Sequence, residues 1–145
     1  MPVIDVYAAV GLFPTGSDRQ LGEALGLAVL RAEGITVPGP VYGNSTAVYI
    51  HHMPASTVQT VATAEARTAR VQITTPPGLL SREGQKQIVK EATEIVAQLA
   101  NDATLTERTL VVLIEAAEGG WGMAGIAFGK EEFVGLAVRA NVAAP

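Results

Sequence analysis

The chain carries one pattern twice. Val3 to Leu12 (VIDVYAAVGL) and Arg70 to Leu79 (RVQITTPPGL) superimpose with a shift of 67 residues, which sets Gly11-Leu12 on Gly78-Leu79. The same shift carries Leu21, Leu25, Ala28, Val29 and Ala32 onto Ile88, Ala92, Ile95, Val96 and Leu99, apolar positions at helical spacing in both copies. Each helical stretch is followed by a β-rich run, Thr46 to His52 (TAVYIHH) and Thr109 to Glu115 (TLVVLIE). Strand, helix, strand normally gives two parallel strands joined by a right-handed crossover. Two such units predict an α/β (α+β) fold, a four-stranded mixed sheet with both helices on one face. The other face of that sheet must then be buried by other chains.

At 145 residues the chain suits one domain with an internal pseudo-repeat. The first β-α-β unit is expected over about 2–62, the second over about 69–128, and a C-terminal helix and tail over 129–145. The second helix is the better marked: Ser81 can cap it, and Ile88, Val89, Ala92, Ile95, Val96 and Leu99 form its apolar stripe. The first, Asp18 to Ala32, contains Gly22 and Gly26, each costing on the order of 1 kcal/mol relative to alanine. Close packing against the sheet is the expected reason for them. The segment Ser56 to Thr68 is expected to extend the preceding strand, turn, and lead into the next unit. After Trp121 the sequence reads as a glycine-rich hairpin, a short helix near Lys130 to Val138, and a loose Ala-rich end.

Composition narrows the function classes. An apolar fraction of 48% against 17% charged residues is high for a small globular chain, and it points to subunit association covering part of the surface. A net charge of −4 without a Lys/Arg cluster argues against nucleic acid. No apolar run is long enough to cross a bilayer, and Asp5 interrupts any signal-like start, so no membrane partner and a cytoplasmic location are expected. The absence of cysteine removes disulfides and thiolate chemistry. There is no phosphate-binding glycine loop, nucleophile elbow or paired-histidine helix, so no cofactor is expected. His51 and His52 are adjacent on a strand and point to opposite faces, which disfavours a shared metal. Tyr49 or His51 can offer a hydrogen bond to an enolate, or either can serve strand packing alone.

Three further marks stand in order: Met1-Pro2 running directly into a strand (PVIDVY), the helix SREGQKQIVKEATEIVAQL, and the run LVVLIEAAEGGWGMAG. Together with the repeat, they make the chain resemble the tautomerase superfamily (4-oxalocrotonate tautomerase-like) in its fused, two-unit form, over nearly its whole length. The resemblance implies a homotrimer of fused chains in which Pro2, freed by loss of Met1, is general base or acid on a small keto/enol carboxylic acid. A terminal secondary amine suits this role, since burial lowers its pKa toward neutrality, where proton transfer is most effective. The second unit has Ala69 where the first has Pro2, so one site per chain is implied.

Trp121 matches the hairpin aromatic that closes the pocket in this family. Members acting on diacids carry arginines where this chain has Leu12 or Leu79 and Ala47 or Leu110. Arg82 and Arg108 are the nearest substitutes for binding a carboxylate, or they sit in solvent. A β-keto acid decarboxylase using the same proline is an alternative activity. A non-catalytic trimeric binding or assembly protein that retains the fold is another.

Overall fold

Alternation decides which way each strand faces. In the computed structural model, which describes residues 1–142 and side chains through Val138, strand β1 (Val3–Ala9) buries Ile4, Val6 and Ala8 and turns Val3, Asp5 and Tyr7 the other way. Helix α1 (Asp18–Ala32) follows, then a short helix α2 (Pro40–Ser45) and strand β2 (Ala47–Met53). The second unit has strand β3 (Ala69–Thr75), helix α3 (Arg82–Leu99) and strand β4 (Thr109–Glu115). A hairpin of β5 (Trp121–Met123) and β6 (Ile126–Phe128) and helix α4 (Lys130–Val142) complete the order.

The sheet runs β2-β1-β3-β4, parallel within each unit and antiparallel between β1 and β3 at its centre. Asp5 lies opposite Gln72, the residue 67 places further on, so the two units meet about a pseudo-twofold axis through that pair. The core joins Ile4, Val6, Val71 and Ile73 of the central strands to Leu21, Leu25 and Val29 of α1 and Ile88, Ala92 and Val96 of α3. Both long helices therefore cover one face, as the repeat predicts. Alternation and register leave Val3, Asp5, Tyr7, Tyr49, His51, Arg70, Leu110, Val112 and Ile114 on the other.

Several local expectations change. Val89 lies outside the α3 stripe and is exposed. The segment after β2 does not extend that strand: Pro54 ends it, a 3-10 turn spans Ala55–Thr57, and regular structure resumes at Ala69. Helix α2 was not foreseen, because six residues are too few to establish a period. Helix α4 runs to Val142, beyond the expected Val138, and the rest of the expected loose end, 143–145, lies outside the described residues.

The glycines of the two long helices behave differently from one another. A methyl at Gly22 would meet Val48 at 3.7 Å and one at Gly26 would meet Thr46 at 3.6 Å, both ordinary contacts, so close packing does not require glycine there. At Gly84, in the first turn of α3, a methyl would lie 2.6 Å from the Ala32 carbonyl oxygen at the end of α1. We expect Gly22→Ala to raise stability by about 0.5–1 kcal/mol. Gly84→Ala is expected to lower it by about 1–3 kcal/mol. Urea midpoints of the two variants, which should move in opposite directions, check both.

Candidate functional site

The start of β1 is buried. Met1 and Pro2 are both inaccessible, and the Pro2 carbonyl accepts a hydrogen bond from the Ala47 amide at 3.2 Å, which ties the chain end to β2. The terminal amine donates to Glu33 Oε2 at 3.4 Å. Glu33 sits where α1 stops. The Gly34 amide bonds to the Arg31 carbonyl (2.9 Å) and the Ile35 amide to the Leu30 carbonyl (2.8 Å), a helix-ending pair of bonds that needs a left-handed residue, supplied by Gly34 at φ +86°. Helix α1 is in turn tied to α3 by Arg31, which bonds Glu91 at 2.9 Å.

Glu33 is the unusual member of this pair. Its side chain has no exposed surface, and among the described residues Oε1 has no hydrogen-bond partner. A buried acceptor left unmet costs about 1–3 kcal/mol, more when charged. Burial pushes the Glu33 carboxyl above its usual range, and the attraction of the terminal amine only partly offsets it. Burial likewise lowers the amine, against the opposing pull of Glu33. Both shifts disfavour the charged forms, so the pocket holds the amine closer to its free-base state than water would.

The signs give a pH test on the chain that carries Met1. Glu33, raised in the fold, contributes stability below its ordinary value of 4.5 that is lost as pH rises through its folded value. The amine, lowered in the fold, contributes stability above 8.0 that is lost as pH falls through its folded value. Urea midpoints are therefore expected to pass through a minimum between these two limits, and Glu33→Gln should remove the acidic limb.

A cavity of about 140 Å³ lies beside this pair, lined among others by Met1, Glu33, Tyr42, Leu79 and Phe133. Leu79 and Phe133 also line an adjoining groove of about 540 Å³ that carries Lys130 and Glu118. The two units thus share the wall: Glu33 and Tyr42 come from the first, Leu79 from the β3–α3 turn of the second, and Phe133 from α4.

The other residues singled out from sequence are not gathered here. Tyr49 and His51 lie on the uncovered sheet face, where His51 Nε2 is 2.8 Å from Asp5 Oδ1 and its ring stacks on Tyr7 at 4.3 Å. Arg70 lies over the same Tyr7 ring at 5.2 Å. His52 turns the other way and meets Asp18 at 2.9 Å. Arg108 bonds Asp102 (2.7 Å), Thr104 (2.9 Å) and the Arg67 carbonyl, and so closes the 3-10 turn before β4. Arg82 is exposed in the first turn of α3 and bonds Gln85 at 3.2 Å. Trp121 is half-buried on the hairpin, opposite Phe128, whose ring meets Phe133 at 5.3 Å, so its link to the cavity is indirect.

Glu33, Tyr42 and Phe133 were not found from sequence. Glu33 did leave a signal: a carboxylate at a helix C-terminus faces the negative end of the helix dipole, where a cation is preferred. Among the described residues no group of three or more His, Asp or Glu side chains is arranged to hold a metal ion, and no helix is long and apolar enough to cross a membrane.

No protein-family model matches this chain, and no curated protein does. Solved structures do. A wild-type fused 4-OT described as a symmetric trimer superimposes with a TM-score of 0.72 at 18% identity, covering 89% of this chain and 96% of its own. Pt0534 inactivated by 2-oxo-3-pentynoate gives 0.73 at 16% identity, covering 90% and 98%. A member of the cis-3-chloroacrylic acid dehalogenase (cis-CaaD) family gives 0.70 at 13% identity, covering 93% and 90%.

Proposed function

We propose that this chain, which has the tautomerase-superfamily fold in its fused two-unit form, is a tautomerase-type enzyme whose base is Pro2, freed by removal of Met1. The supporting observation is the buried start of β1: the Met1 amine lies beside a cavity, its charged form disfavoured by burial. Removing Met1 passes the terminal nitrogen to Pro2 and adds the volume of a buried methionine side chain to that cavity. A neutral Pro2 nitrogen takes the hydroxyl proton of an enol as the carbonyl forms, then delivers a proton to the adjacent carbon. The count of protons on the enzyme is unchanged after one turnover, so a single nitrogen suffices.

The working form in this reading is a homotrimer. The uncovered sheet face carries exposed Tyr49, Leu110 and Ile114, an apolar surface that association would remove from water. Fused 4-OT relatives are described as symmetric or asymmetric trimers. The carboxylic-acid substrate expected from sequence finds less support, because Arg82 and Arg108 are both engaged away from the cavity at Met1.

Intact mass of the purified protein, with ketonisation rates for phenylenolpyruvate and its methyl ester, tests the proposal. Loss of Met1 and a rate above buffer with either compound are expected. Retention of Met1, or buffer rates with both, would overturn it.

A further inference from the structure

Among the described residues, the cavity at the start of β1 is lined by the Met1 amine, the Glu33 carboxylate and no other charged group, and loss of Met1 makes the amine that of Pro2. We propose that it admits an uncharged enol or ketone in preference to a carboxylate, with Glu33 as the residue that sets this preference. The inference rests on the Pro2 reading and names its substrate class.

The argument is a count of charge. Amine and carboxylate together carry zero net charge whether the proton they share sits on nitrogen or on oxygen. An uncharged guest keeps the sum at zero. A carboxylate guest makes it negative in a space with no exposed surface on Glu33 and, among the described residues, no cation left to offset it. Burying an uncompensated charge is strongly unfavourable.

The described surroundings supply no remedy. Among the described residues Tyr42 is the remaining lining residue with a side-chain polar atom, and Leu79 and Phe133 are apolar. In the adjoining groove Lys130 is matched by Glu118, one charge of each sign. As a carboxylate, Glu33 offers at Oε1, which has no partner among the described residues, an acceptor that suits an incoming hydroxyl donor and opposes a carboxylate oxygen.

Phenylenolpyruvate and its methyl ester differ in this one charge. The wild-type protein is expected to favour the ester at least about tenfold in kcat/KM, since placing like charges together in a desolvated site is penalised by at least that factor. In Glu33→Gln the ester-to-acid ratio should fall to within about threefold of one. Because a ratio is read, a general loss of rate in that variant does not mask the result. Leu79→Arg supplies the missing cation without touching Glu33, and should lower the ratio at least about tenfold.

The wild-type ratio should also fall with pH as Glu33 takes up a proton and leaves the ammonium unopposed. Among the described residues the groups bearing on that titration are the amine, Glu33 and Tyr42, with Lys130 and Glu118 in the groove beyond. A Pro2-dependent enzyme that prefers the acid overturns this inference and leaves the proline reading intact. So does one whose ester preference survives both substitutions. Buffer rates with both compounds remove the proline reading and this inference together.

Discussion

Inserting one alanine between Met1 and Pro2 is expected to reduce enol ketonisation by about 10²–10⁴-fold, the range that a positioned general acid or base contributes. The insertion places an amide on the proline nitrogen, and an amide nitrogen has no lone pair available for a proton. Pro2→Ala is expected to lose less, because its terminal primary amine is still a nitrogen base in the same buried position. A graded series of wild type, Pro2→Ala and insertion variant distinguishes a chemical role for the nitrogen from a merely structural one. Initial rates at fixed pH, with circular dichroism to verify folding, provide the measurement. Equal rates in all three would remove the base assigned to this chain. The start of β1 is held by backbone bonding to β2 and by Ile4 and Val6 in the core, so neither variant should unfold the sheet.

The second large effect is on assembly. Leu110→Glu combined with Val112→Glu places two carboxylates on the uncovered sheet face, in the rows occupied by Arg70 and Gln72. If three chains bury that face, each new charge must be desolvated in every copy, and several kcal/mol per site oppose association. Sedimentation velocity is expected to show a trimer for the wild type and a single chain for the double variant. A wild-type protein that sediments as one chain at all concentrations would instead leave the face to solvent. These side chains point away from α1 and α3, so the core within one chain should tolerate the change.

Much of this architecture was legible because duplication gives each weak signal a second reading. Helix α1 is a poor helix by composition, with Gly22 and Gly26 inside it, yet its apolar positions match the clearer stripe of α3 and identify it. Ser81 capping the Gly84 amide at 3.1 Å was likewise readable from residue type and place. The duplication also carries the register, since Asp5 faces its own counterpart Gln72.

What lacked a counterpart was not legible. Helix α2 and the irregular path from Pro54 to Thr68 have no period to read, and the different demands at Gly22 and Gly84 depend on how closely two backbones approach. Of the cavity beside the chain start, little was legible in the sequence. Pro2 was singled out by its position alone, whereas Glu33, Tyr42, Leu79 and Phe133 meet only because four separate elements converge. Arginine was sought near the strands because carboxylate binding suggested it. The charge that the fold brings to the terminal amine has the opposite sign.

The antiparallel centre of the sheet assigns the two halves different duties. Because β1 and β3 run in opposite directions, the opening of the first unit lies beside the close of the third strand, and the turn after that strand walls the first unit's cavity. Ala69, within the chain, has no free amine, so under the Pro2 reading the second half carries no base and contributes a wall of the cavity. Under the Pro2 reading the base and Glu33 stay with the first unit while Leu79 of the second closes one wall, so the pocket can be altered at Leu79 without disturbing β1.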